Sequence, residues 1–181
     1  MKILTLLRHA KSTWDDPVAR DFDRPLNPRG RRAARAVGAE MKAQGLRFDR
    51  VVASPAVRVV ETLEEVAAGY GRPITPSFDQ RIYLASTATL LDIVHAAGAD
   101  VERLLLVGHN PGLESLVLLL TRADDNALRA QVQVKYPTGT LAEIAFDLER
   151  WNEVAAHRGR LERLILPREL DPGLGPDEDS D

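Results

Sequence analysis

The chain contains no cysteine among its 181 residues. Disulfides, a thiolate nucleophile and a cysteine-ligated zinc site are therefore excluded. Long apolar runs are missing as well. The longest, Leu116 to Leu120, falls far short of the ~20 residues needed to cross a bilayer. The apolar stretch Ile3 to Leu7 is too short for the core of a signal peptide. The expectation is a cytoplasmic protein with no membrane partner. Excess positive charge is also lacking, since the net charge is −3. A general nucleic-acid binder would be basic, so no nucleic-acid partner is expected. No GxxxxGK[ST] or GxGxxG motif follows an apolar run, which excludes the usual nucleotide cradles. Lysine is scarce: 20 of the 24 cations are arginine. Arginine suits bidentate recognition of phosphate or carboxylate, although high genomic G+C content also favours it.

What is present is an ordinary globular chain. Hydrophobic residues at 44% and charged residues at 28% are enough for one buried core and argue against disorder. Short continuous apolar runs at Lys2 to Leu7, Arg50 to Ala53 and Arg103 to Val107 predict strands buried on both faces. Thr140 to Asp147 reads as a fourth strand. Leu161 to Leu166, followed by Pro167, reads as a fifth at or near an edge.

Helical stretches lie between them: Pro28 to Gln44 stopped by Gly45, Pro55 to Tyr70 ended by Gly69 and Gly71, Thr87 to Ala97, and Pro111 to Leu120. Asn27, Ser54 and Asn110 stand where N-caps would be. Arg122 to Gln133 is polar, either loop or weak helix. The order predicts an α/β fold: a single domain with a mostly parallel sheet flanked by helices on both faces. The domain spans 1–168. An acidic disordered tail is expected over 169–181, because five of the eleven residues from Asp171 onward are acidic. No pattern in the chain specifies an oligomeric state.

Three clusters carry chemistry. Arg8-His9 follows the first strand, Ser54-Pro55 with Arg58 follows the second, and Gly108-His109-Asn110-Pro111 follows the third. Ligands of open α/β sheets bind at the carboxyl ends of parallel strands. The second and third clusters also open helices, whose N-termini favour anions. A lone histidine at a strand end is more often structural than catalytic, and a lone arginine in a first helical turn is usually solvated. Two of each converging on one crevice describe a site for a doubly charged oxyanion, phosphate foremost. His95 and His157 read as structural or surface residues. Glu61 and Thr62 are placed to support Arg58 or to face solvent. Two histidines with no third ligand nearby, flanked by arginines, make a poor metal site, so neither metal nor cofactor is expected.

These motifs, in this order, resemble the histidine phosphatase superfamily, the branched group that includes phosphoglycerate mutase. Ala10 after Arg8-His9, where the family usually has glycine, is similar to the small SixA-type phosphohistidine phosphatases. Asp23-Arg24-Pro25-Leu26-Asn27 with Gly30, Ser54-Pro55 with Arg58 and Thr62, Gly108 to Gly112, Trp151, Gly159 to Leu161 and Pro167 extend the resemblance over residues 1–168. It implies a phosphoglycerate mutase-like fold. It also implies His9 as nucleophile, Arg8 and Arg58 as phosphate-binding arginines, and His109 as the second histidine. Ser12 stands where mutase-like members have a serine that touches phosphate.

One departure matters. Relatives that cleave phosphate esters carry a carboxylic acid after the second helix or beside the second histidine. Here Asp79 to Leu84 offers only Asp79 as a candidate acid, and Asn110 follows His109. Without a general acid, worth ~10²- to 10⁴-fold, P–N bonds or activated esters are favoured. The expectation is a phosphatase acting through phosphorylated His9, with a phosphohistidine-bearing protein as partner and substrate. The alternatives are a small-molecule phosphomonoester phosphatase or mutase, and a non-catalytic phosphate-binding interaction module.

Overall fold

The structure, a computed structural model, describes residues 1–174 apart from 18 and 125. The apolar runs form one sheet. Its strands are β1 (Lys2–Arg8), β2 (Arg50–Ala53), β3 (Ser77–Phe78), β4 (Arg103–Gly108), β5 (Leu141–Phe146) and β6 (Gly159–Ile165). Their order across the sheet is β3-β2-β4-β1-β5-β6. β1 to β4 are mutually parallel, and β5 and β6 continue the sheet in antiparallel pairings. β6 lies at an edge, as the following proline suggests. β3 escapes a sequence reading because two exposed residues carry no periodicity.

Helices α1 (Pro28–Ala43), α2 (Val57–Tyr70), α3 (Thr87–His95), α4 (Gly112–Leu120), α5 (Ala127–Val134) and α6 (Pro167–Leu170) cover both faces. The alternation along the central strands explains why these runs are continuously apolar. Leu4, Leu6, Leu104 and Leu106 face a core shared with α3, α4 and α5. Leu7, Leu105 and Val107 face a second core shared with α1 and α2. Among the described residues, no helix is long and apolar enough to cross a membrane.

The helix boundaries follow from local chemistry. Asn27 caps α1 by accepting from Gly30 N at 2.7 Å, and Pro28 fixes the first turn. Gly71, at φ 75°, ends α2. Asn126 accepts from Leu128 N and Arg129 N and so makes the polar stretch after Arg122 a capped helix, α5. Ser54 is not the cap of α2. Ala56 holds the N-cap position instead, and the Ser54 hydroxyl accepts from Ala56 N at 3.3 Å while meeting His109 Nε2.

Gly69 is not a stop either; it lies inside α2. A Cβ on Gly69 would come 2.1 Å from Arg35 O, and one on Gly38 would come 2.1 Å from Val66 O. The two glycines let the α1 and α2 backbones touch. Alanine at Gly69 gains ~1 kcal/mol of helix propensity but forces the helices apart, an overpacking cost of about 1–3 kcal/mol. Gly69→Ala is therefore expected to lower stability, read from its urea midpoint; an unchanged midpoint would argue against this backbone contact.

The expected tail from residue 169 needs revision. Glu169 and Leu170 belong to α6, and Leu174 is buried. Asp171 binds the Arg32 guanidinium through both carboxylate oxygens at 2.6 and 2.8 Å. An apolar anchor and an ion pair fix what composition alone marked as disordered. Residues 175–181 lie outside the described residues.

Candidate active site

Three strand ends meet because their ladders continue past the strands. His9 N donates to Gly108 O at 3.1 Å, and Ser54 N donates to Val107 O at 3.0 Å. The segments after β1, β2 and β4 are thus fixed side by side at the carboxyl edge of the sheet. Thr62, on α2, ties the first to the second: it accepts from Ala10 N at 2.9 Å and donates to Arg58 O at 2.6 Å. Gly30 lets the start of α1 rest on Lys11, since a Cβ there would stand 2.1 Å from Lys11 O.

Arg8, His9, Arg58 and His109 are gathered in one buried cluster. The two imidazole centroids are 5.3 Å apart. The Arg58 guanidinium bridges them: Nε donates to His9 Nε2 and Nη2 approaches His109 Nδ1, each at 3.4 Å. Arg8 Nη1 donates to Tyr136 O at 3.0 Å, and Asn110 Nδ2 donates to the same carbonyl at 3.1 Å. Tyr136 is itself anchored through its hydroxyl to Leu6 O.

The hydrogen bonds assign the tautomers. Ala10 O can only accept, so His9 Nδ1, 2.7 Å away, carries the proton. His9 Nε2 then keeps its lone pair, aimed at the Arg58 Nε–H. His109 Nδ1 likewise faces an arginine donor, so its Nε2–H points to Ser54 Oγ at 2.8 Å. Burial pushes the His9 imidazole well below the usual histidine range; the Arg8, His109 and Arg58 charges push the same way, and the Ala10 carbonyl opposes them. Burial, then Arg58, lowers His109 to about 3. Two neutral imidazoles held in a positive field form an anion site with an unprotonated nucleophile candidate.

This has a consequence for acid stability. The unfolded chain protonates these histidines below pH ~6.5, whereas the folded chain does so only far lower. The folded state binds fewer protons in that interval, so its stability falls as pH drops. The limiting slope is about 1.4 kcal/mol per pH unit for each histidine. Asp21, lowered to about 2 by its Tyr83 and Arg58 partners against the opposing effect of burial, loses its stabilising contribution only at more acidic pH, from its ordinary 3.8 downward. Between pH 6.5 and 4.5 the urea midpoint is expected to fall, and His109→Gln to remove about half the slope. A flat wild-type profile would mean that the imidazoles are charged or hydrated.

The other sequence candidates fall elsewhere. Ser12 Oγ accepts from Arg24 Nη1, one step removed from the cluster. Glu61 binds Leu26 N and Arg31, and Thr62 supports the Arg58 backbone; neither holds the Arg58 guanidinium. Asp79 is held by the Arg81 guanidinium, which keeps its carboxyl below the usual range. It is therefore ionised and unsuited to donate a proton. His95 and His157 bond the carbonyls of Val154 and Thr121, as structural histidines do. Among the described residues, no group of three or more His, Asp or Glu is placed to hold a metal ion.

Sequence reasoning missed two members of the cluster. Asp21 binds Arg58 Nη1 through its carbonyl at 2.7 Å and Nη2 through its carboxylate at 3.1 Å. Tyr83 donates its hydroxyl to Asp21 Oδ2 and packs edge-on against His109, with centroids 5.4 Å apart. Tyr83 lies within the Asp79 to Leu84 stretch, but nothing in the sequence brings residue 21 to residue 83.

The fold has known relatives. Residues 4–81 match the model of the histidine phosphatase superfamily (branch 1). An uncharacterised protein of Mycobacterium tuberculosis is 35% identical over 164 residues, covering 90% of this chain and all of that one. A solved chain from Agrobacterium tumefaciens, assigned as the phosphohistidine phosphatase SixA, is 29% identical with a TM-score of 0.77. The match covers 92% of this chain and 98% of that one. A SixA protein histidine phosphatase solved with tungstate shares the fold at TM-score 0.75 and 22% identity, over 93% of this chain and 99% of that one. With sheet order, strand-end motifs and relatives in agreement, the chain belongs to the histidine phosphatase superfamily, in its SixA-type group.

Proposed function

We propose that the chain is a cytoplasmic, metal-independent phosphatase that uses His9 as a covalent nucleophile and removes phosphate from phosphohistidine in a protein. The observation that carries this reading is the Arg58 guanidinium spanning His9 Nε2 and His109 Nδ1. A phosphoryl group seated there would meet a lone pair on one side and donors on the others. Membership of a phosphatase superfamily supports the reaction class.

In the first step the His9 Nε2 lone pair attacks phosphorus and the bond to the leaving nitrogen breaks. Ala10 O holds the Nδ1 proton throughout and stabilises the charge that develops on the ring. Arg8 and Arg58 take the equatorial oxygens. A dianion beside His109 Nδ1 would draw a proton onto that nitrogen and turn it into a further donor. In the second step water attacks the phosphorus, His9 Nε2 leaves with its electron pair, and inorganic phosphate is released.

Substrate preference follows from the acids nearby. Asp79 is ionised, and the Tyr83 hydroxyl, raised by burial and by Asp21, is a poor donor. A proton drawn onto His109 is committed to a phosphoryl oxygen, so a leaving group must carry its own, as the imidazole of an N-protonated phosphohistidine does. Alkyl phosphates, which leave as alkoxides, would forgo the ~10²- to 10⁴-fold contribution of a general acid. The test is kcat/KM on a phosphohistidine protein against phosphoserine. At least ~10²-fold preference for the former is expected; equal rates would move the assignment to a monoester phosphatase.

A further inference from the structure

The Arg58 guanidinium has two usable edges, and the structure treats them differently. The Nη1/Nη2 edge is taken by Asp21, through its backbone carbonyl at 2.7 Å and its carboxylate at 3.1 Å. The Nε/Nη2 edge, whose parallel N–H bonds match two oxygens of a phosphoryl group, faces His9 and His109 at 3.4 Å. The contacts on the second edge are long and replaceable. Asp21 is itself held from two directions, by Tyr83 through Oδ2 and by Arg24 Nε through Oδ1 at 3.1 Å. Arg24 is in turn fixed by Ser12 Oγ and by the Trp14 ring, 3.5 Å from its guanidinium carbon.

We infer that Asp21 is a positioning residue: it grips the far edge of the Arg58 guanidinium so that the near edge stays turned toward His9 and His109 to receive phosphate. The inference rests on the phosphatase reading above and adds to it a residue that need not touch the substrate.

The sign of one substitution separates this role from its competitors. A carboxylate near a dianion site repels the dianion. If Asp21 were only a nearby charge or a plug, Asp21→Asn would tighten anion binding and raise activity. If Asp21 positions Arg58, the same change weakens binding and lowers turnover. The side chain is 39% exposed, so the isosteric asparagine needs no repacking.

The experiment uses the full chain as wild type, Asp21→Asn and Tyr83→Phe. It measures tungstate and inorganic phosphate binding by calorimetry, kcat and KM on a phosphohistidine protein, and melting temperature. Asp21→Asn is expected to weaken tungstate binding and to lower kcat/KM by about 10- to 100-fold, the value of a charge-assisted contact, with the loss mainly in kcat. Tyr83→Phe removes one donor to Asp21 and leaves its charge, so a smaller loss of about 2- to 10-fold is expected. Binding and kcat unchanged or improved in Asp21→Asn would overturn the inference, as would a lower melting temperature with kcat intact. The binding arm does not depend on turnover. A wild type that binds tungstate but hydrolyses nothing would defeat the phosphatase reading and leave the effect of Asp21 measurable.

Discussion

His9→Ala is expected to lose at least roughly 10⁴-fold in turnover and to form no phosphoenzyme. The size follows from what the side chain supplies. No other group in the cluster presents a lone pair whose ring is oriented by a fixed backbone acceptor, as Ala10 O orients His9. His109 is the one rival, with its centroid 5.3 Å away and Nδ1 also facing Arg58. Its Nε2–H rests on Ser54 Oγ, a hydroxyl that can rotate. The two histidines are therefore expected to differ in kind. His109→Ala should slow the reaction by about 10²- to 10³-fold through lost charge stabilisation, yet still accumulate phosphate on His9. Equal losses of phosphoenzyme in both variants would remove the distinction between nucleophile and stabiliser.

Arg58→Ala is expected to cost about 10²- to 10³-fold in kcat/KM. Two effects act together. The donors facing both imidazoles vanish, and the Asp21 carboxylate keeps only Arg24 of its two guanidinium partners beside an incoming dianion. Arg58→Lys should recover less than tenfold of the loss, because one compact ammonium cannot hold Asp21 on one edge and face two imidazoles on the other. Asp21 is exposed enough to stay solvated, so folding is expected to survive, and circular dichroism checks that. Full rescue by lysine would mean that only charge at this position matters.

The carboxyl-edge cluster was legible because its members sit in short motifs directly after apolar runs. Arg8, His9 and His109 could be assigned to strand ends from sequence, and Arg58 to the helix start just beyond one; parallel strands put strand ends together. What could not be read were contacts created by the tertiary path. Asp21 meets Arg58 across 37 positions and Tyr83 across 62. Neither pairing leaves a periodic signal.

The errors in the elements have the same origin. Gly69 resembles a helix stop and serves instead as the bearing surface for α1. Ser54 resembles a cap, but α2 starts only at Val57 and the serine hydroxyl meets His109. Asp171 resembles the start of an acidic tail and pairs with Arg32. In each case local propensity gave one of two uses for the residue, and packing selected the other. His9 is held the same way, by a contact that no motif announces: its Nδ1–H rests on the backbone carbonyl of Ala10.

Whether His9 carries the phosphoryl group is decided by a rapid quench into alkali after mixing the chain with ³²P-labelled phosphohistidine protein, followed by mapping of the labelled peptide. Phosphohistidine survives alkali and is lost in acid, so the linkage identifies itself. Transient, alkali-stable, acid-labile label on His9, formed and discharged at rates consistent with kcat, is expected. Turnover with no label on His9, or label on another residue that persists in His9→Ala, would contradict it.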